Sequence, residues 1–236
     1  MSWRTNGVVV ALRNLGRKTG ANRLLVAARG SAEYEDRFQK AMLSEIRSGD
    51  CVWDVGANLG LYTVKFSEIV GAKGAVVAFE PSPTNFDRLK RAAGSLPNVA
   101  LVPIAMGDHE GTVEFTQGRD RDGTTSRVVT DPTDRTGGSI NVEVSRGDHC
   151  LTFQSVKPPD VIKIDTEGFE LEVIRGLSQT LCRPNLRALF VEVHFGQLKD
   201  RGLAWAPAKI EVLLENTGFR CTWADASHIM ARRAAR

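Results

Sequence analysis

Three stretches of the chain set acids, glycines and a histidine at the ends of apolar runs, where side chains can meet a ligand. The first is DVGANLG, Asp54 to Gly60, with glycines at 56 and 60 and Asn58 between them. Glycines placed there let the chain turn tightly and bring backbone N–H groups close to a ligand, with the next helix starting behind them. The following apolar run ends in Glu80. Since 80 − 60 = 20, this acid stands about where a dinucleotide-binding fold places its ribose-binding carboxylate. The second stretch, DVIKIDTEGFELEVIRG, puts Lys163 inside an apolar run and follows it with Asp165, Glu167, Glu170 and Glu172. The third, ALFVEVH, ends in His194.

These residues need a scaffold, and the chain supplies alternating patterns for one. CVWDVGA (51–57), AVVAFEP (75–81), ALVPIAM (100–106), DVIKID (160–165) and ALFVEVH (188–194) read as strands, most of them rich in β-branched residues. LYTVKFSEIVG, SPTNFDRLKRAAGSL and EGFELEVIRGLSQTL read as helices between them. Strands separated by helices of this length form βαβ units. The predicted fold class is therefore α/β, a doubly wound, mainly parallel sheet with helices on both faces. Residues 1–48 form a lead-in with an amphipathic helix in EYEDRFQKAMLSEIRSGD. Residues 49–236 form the main domain, with a β and loop excursion at about 110–148 around EGTVEF and SINVEVS. Ligands of such sheets lie beyond the carboxyl ends of the strands, at the switch point.

The glycine pattern bears on which ligand. Pyrophosphate binding uses G-x-G-x-x-G, whose second glycine is here Asn58. An acid just before the glycines, Asp54, suits a cationic ligand such as S-adenosylmethionine better than a dinucleotide.

DVGANLGLYT, AFEPSPTNFDRLK, NVALVPIAMGD, DVIKIDTEGFELEVIRGL and LFVEVH, in that order, resemble the FkbM-family S-adenosylmethionine-dependent methyltransferases over about residues 50–195. The resemblance implies the Rossmann-like methyltransferase fold and O-methylation of a hydroxyl on a sugar, glycan, glycolipid or polyketide. It also implies that Asp54, Gly56, Ala57, Asn58 and Gly60 line the methionine end of S-adenosylmethionine. Glu80 with Pro81 would bind the ribose, and Ala105 and Met106 would flank the adenine. Many members carry a Thr-Leu-Asp segment before the fourth strand where this chain reads SRGDHCLTF. The N-terminal 45 residues and the loop Gly118–Gly138 match no family pattern, so the choice among these acceptors stays open.

Period-2 alternation puts Val161, Lys163 and Asp165 on one face of their strand, and Ala188, Phe190, Glu192 and His194 on one face of theirs. If the two strands are neighbours, Lys163 pairs with Glu192, because an unpartnered lysine in a covered sheet is very expensive. Asp165 and His194 then stand at the strand ends. Methylation of an alcohol requires its proton to leave, and His194, with an unperturbed pKa near 6.5, is the preferred base. Asp165 is the rival base, with two other roles open to it: orienting the acceptor hydroxyl or binding the cationic cofactor. Glu167 remains a catalytic candidate, although Glu167, Glu170 and Glu172 all suit a helix start through the dipole alone. Asp165, Glu167 and His194 could gather a divalent metal, but one histidine with scattered carboxylates is a weak signature, and no metal is assigned.

Composition bounds the alternatives. The 236 residues, 42% hydrophobic and 25% charged, suit one globular domain, and no apolar run approaches a membrane span. VVVAL (8–12) is short for a signal-peptide core, which points to a cytoplasmic protein, as do four cysteines with no C-x-x-C. The net charge is +3, with a basic N-terminus (Arg4, Arg13, Arg17, Lys18, Arg23, Arg29) and a basic tail, ARRAAR. Such arms suit weak contact with a membrane surface or an acidic glycan. No aromatic interleaving favours nucleic acid as a partner. The alternatives to a hydroxyl acceptor are RNA or protein methylation, a nicotinamide-dependent oxidoreductase and a non-catalytic binding module.

Overall fold

The computed structural model describes residues 31–116, 127–128, 139–153 and 156–234. The basic N-terminal segment and most of the Gly118–Gly138 loop lie outside them. The chain order is α1 (Ser31–Glu45), β1 (Cys51–Val55), α2 (Leu61–Val70), β2 (Ala75–Phe79), α3 (Pro83–Ala93), β3 (Val99–Val102), β4 (Ala105–Gly107), β5 (Gly111–Thr116), β6 (Arg127–Val128) and β7 (Ser139–Arg146). It continues with α4 (Gly147–Phe153), β8 (Val161–Ile164), α5 (Glu170–Gly176), a 3₁₀ turn at Thr180–Cys182, β9 (Ala188–Glu192), α6 (Phe195–Asp200), α7 (Ala206–Asn216), β10 (Phe219–Trp223) and β11 (His228–Arg233).

Seven strands form the main sheet in the order β10-β11-β9-β8-β1-β2-β3. The five strands from β9 to β3 are parallel, and β11 runs antiparallel to both its neighbours. Every residue of β1 and β8 is buried, as strands covered on both faces must be. One face carries Trp53, Val55, Phe79, Ile162, Ile164 and Leu189 against Leu171 and Ile174 of α5 and Ile210 and Leu214 of α7. The other carries Val52, Val76, Val161 and Phe190 against Phe38 and Met42 of α1 and Phe66 and Val70 of α2. Each such large apolar side chain contributes about 1.5–3 kcal/mol on burial. No helix of the described residues is long and apolar enough to cross a membrane.

Three readings of the sequence need correction. ALVPIAM is not one strand: β3 ends at Val102, and β4 joins a separate four-stranded sheet, β4-β7-β5-β6. Pro103 has no N–H to offer a ladder, so the run breaks there. The helix expected from Glu167 starts only at Glu170 and ends at Gly176. The tail ARRAAR is in part structural. Arg232 Nε reaches Glu45 Oε2 at 3.0 Å. Arg233 donates to the carbonyls of Leu186, Thr217, Leu181 and Arg183 and lies 4.1 Å over the Phe219 ring. The hairpin β10–β11 and helices α6 and α7, absent from the strand and helix candidates above, complete the sheet edge and one of its covers.

Candidate active site

The order of strands puts the switch point at β1, where the chain goes outward to β2 on one side and returns through β8 on the other. The carboxyl ends of β1 and β8 are adjacent, Val55 opposite Ile164. Just past them the backbones touch: a Cβ on Gly56 would lie 1.9 Å from the Asp165 carbonyl oxygen, and Gly56 has φ +76°. Only glycine meets both demands. Asn58 follows at φ +51°, a left-handed conformation that asparagine tolerates better than most residues.

This turn is tied to the end of β2 by Glu80. Asn58 N donates to Glu80 Oε2 at 2.8 Å, and Ser82 N donates to Oε1 at 2.9 Å. The acid is 5% exposed, and burial pushes its pKa up to about 7 in spite of the two donors. Gly56 N and Ala57 N both donate to the Phe79 carbonyl, closing the turn against the strand.

Lys163 does not take the partner expected for it. Strand register sets it opposite Asp54 on β1 and Phe190 on β9, so Glu192 falls two residues further along. Its Nζ lies 3.2 Å from Asp54 Oδ1 and 3.5 Å from Asp165 Oδ2, and donates to Gly56 O at 2.8 Å. Alternation had the face right and the register wrong. Burial works against the lysine's charge, but Asp54 and Asp165 outweigh it and hold the pKa above the usual range, with Glu192 a weaker contributor. Asp54 is itself fully buried, with Thr63 Oγ1 donating to its Oδ2 at 2.7 Å.

His194 is 3% exposed at the end of β9. Its Nδ1 lies 2.8 Å from Glu170 Oε1, and its Nε2 lies 3.4 Å from Glu167 Oε2, 3.7 Å from Asp165 Oδ1 and 3.8 Å from Glu192 Oε1. Burial opposes the charged ring, yet Glu170 first, then Glu167 and Glu192, raise its pKa to about 10. The ordinary histidine value assumed from the sequence does not apply here: the surrounding carboxylates favour the doubly protonated ring. Burial likewise raises the carboxyls of Asp165 and Glu167 above their usual values. Glu167 sits at φ +50°, an unusual backbone for a glutamate, costing about 1–3 kcal/mol. Gln197 Nε2 holds its Oε2 at 2.8 Å. Asp165, Glu167 and His194 present ligand atoms all within 4.8 Å of one another, a spacing that could also hold a cation. Glu172 is engaged by Arg201 at 2.5 Å.

A cleft opens over these strand ends. Gly56, Asn58, Glu80, Pro81, Ala105, Met106, Asp165 and Glu167 of the sequence-predicted residues line it. Asp54, Ala57, Gly60 and His194 are not among its lining residues: Asp54 lies beneath, holding Lys163, and His194 lies behind Asp165 and Glu167. The small sheet supplies a wall that the motif reading missed, Val113 and Phe115 of β5 and Val144 of β7. The alternation in EGTVEF and SINVEVS was its sequence signal. Phe79, Ile104 and Asn85 also line the cleft.

Comparison with known proteins adds to this geometry. The chain is 32% identical over 159 residues to the hexuronic acid methyltransferase AglP of Haloferax volcanii, covering 66% of this chain but only 61% of that relative. It is 27% identical over 195 residues to the 2-O-methyltransferase NoeI of Sinorhizobium fredii, covering 70% of this chain and 79% of that one. In fold it is similar to the methyltransferase FkbM of Methylobacillus flagellatus, with a TM-score of 0.51 at 15% identity over 77% of this chain and 43% of that one. Over residues 54–221 the chain matches the methyltransferase FkbM domain, and it belongs to that family.

Proposed function

We propose that this protein is an S-adenosylmethionine-dependent O-methyltransferase acting on a hydroxyl of a sugar, glycan, glycolipid or polyketide-type metabolite. The observation that carries this reading is that the turn after β1, Glu80 after β2 and Asp165 after β8 meet in one cleft. The residues fit the cofactor in kind. Glu80 is fixed through both oxygens by backbone donors, which leaves lone pairs for ribose hydroxyls. Phe79, Ile104 and Met106 offer an apolar wall for a flat base, and Asp165 and Glu167 suit a cationic group. The names of the relatives, one acting on a hexuronic acid and one a 2-O-methyltransferase, support a sugar hydroxyl as acceptor.

When bound, S-adenosylmethionine supplies a methyl group on a sulfonium, already activated for displacement. What remains is to align the acceptor and remove its proton, for which a positioned base adds about 10²- to 10⁴-fold. We assign that role to Asp165, which lines the cleft, rather than to His194, which lies behind it. Lys163 holds the Asp165 carboxylate from below, at 3.5 Å. With the cofactor held there, Asp165 would orient the acceptor hydroxyl at the cleft and would take its proton as the oxygen receives the methyl group. All four cysteines are free thiols, which supports placing the reaction in the cytoplasm.

Calorimetry with S-adenosylhomocysteine and with NADH tests the cofactor. Binding of NADH in the absence of homocysteine-analogue binding would overturn the reading. Labelled methyl transfer to a panel of glycosides, glycolipids and polyketide alcohols tests the acceptor class.

A further inference from the structure

Glu170 is fully buried, and a fully buried carboxylate needs a reason. It opens α5, where an acid is favoured by the helix dipole, but an exposed acid would serve that purpose without the desolvation cost. Its Oε1 accepts from Gly168 N at 2.8 Å and meets His194 Nδ1 at 2.8 Å, while its Oε2 has no hydrogen-bond partner. The contact with His194 is what burial adds. That ring is itself buried, and with Nδ1 committed to Glu170 its Nε2 is left facing Glu167 Oε2 and Asp165 Oδ1, two of the carboxylates that line the cleft.

We propose that Glu170 and His194 are a positioning pair for methyl transfer: Glu170 locks the imidazole through Nδ1–H, and the ring's Nε2–H holds the carboxylates of Asp165 and Glu167 in place at the cleft. Neither residue touches the acceptor. Both act through Asp165, so the inference rests on the reading that Asp165 receives the hydroxyl proton. The charges fit this arrangement. Asp165 lies between Lys163 below at 3.5 Å and the His194 ring beside it at 3.7 Å, which oppose the effect of burial and favour its carboxylate form. Glu192, 3.8 Å from His194 Nε2 and 3.6 Å from His228 Nε2, completes the set of groups facing the ring.

The test uses Glu170→Ala and Glu170→Gln in the full chain. Glutamine keeps an oxygen for Gly168 N and for Nδ1–H but removes the charge, so it guards against a variant that fails to fold. With methyl β-D-glucopyranoside and methyl β-D-glucuronide as acceptors, Glu170→Ala is expected to lower kcat at least tenfold while the Kd for S-adenosylhomocysteine changes less than twofold. Glu170→Gln recovers most of kcat at pH 7 but loses it at lower alkaline pH than the parent, because His194 sheds its proton earlier. In ¹⁵N spectra of the imidazole, assigned with His194→Gln, the parent retains both ring protons at pH 8 and Glu170→Ala does not. A wild-type kcat in Glu170→Ala, or a rate that rises as His194 deprotonates, would overturn the proposal. If the parent binds S-adenosylhomocysteine but methylates neither glycoside, the choice of acceptor class fails, and the ¹⁵N spectra still decide the pair: unchanged ring protons in Glu170→Ala overturn it.

Discussion

Replacing Lys163 by methionine removes the ammonium that the structure places between Asp54 and Asp165 while keeping most of the side-chain volume. At 3.2 Å and an effective dielectric of about 20, its attraction to Asp54 is about 5 kcal/mol before desolvation. Breaking a buried pair on one side costs about 3–5 kcal/mol, because the other charge stays behind unpaired. Asp54 is fully buried, so Lys163→Met is expected to lower stability by that amount, a large part of the 5–15 kcal/mol typical of a domain. The assay is urea unfolding of Lys163→Met, Asp54→Asn and the double variant. The double should be less destabilised than the two singles added together, giving a coupling of about 1–3 kcal/mol. The same cycle with Glu192→Gln should give a coupling below about 0.5 kcal/mol. A larger coupling with Glu192 than with Asp54 would refute the strand register from which the pair is read.

With Glu80 holding the ribose, as proposed, cofactor affinity should depend on pH. Its carboxyl in the free protein titrates near 7, and ribose hydroxyls donate to the ionised form, so binding lowers its pKa. The affinity for S-adenosylhomocysteine, measured by calorimetry, should hold above pH 7 and fall up to about tenfold per unit below it, and Glu80→Gln should flatten the profile. Gly56→Ala forces a methyl into the Asp165 carbonyl and strains a left-handed backbone, so it should abolish that binding or unfold the protein in thermal melts. Arg233→Met leaves four carbonyls without their shared donor and should cost at least about 2 kcal/mol in urea unfolding.

Much of this site is readable in the chain because local geometry dictates it. Glycine at 56 and 60 and the acid at 80 follow from what a turn after a strand can accept and where the next strand ends, and the observed cleft brings Gly56, Asn58 and Glu80 together. Period-2 alternation likewise assigned Lys163 and Asp165 to one face. Register was beyond reach: the face tells which way a side chain points, but its partner depends on how far one strand slides along another. Lys163 therefore met Asp54, not Glu192. The protonation of His194 was equally hidden, because an imidazole takes its pKa from every carboxylate packed around it, and those come from β8, the turn before α5, α5 itself and β9. The small sheet contributes Val113, Phe115 and Val144 to the cleft only after folding back over the strand ends. The family, the parallel core of the main sheet and the turns that close its strands were legible in the chain, all properties of short segments. Tertiary structure alone decided which charges pair and which acid faces the cleft, because both depend on distances between segments far apart in the chain.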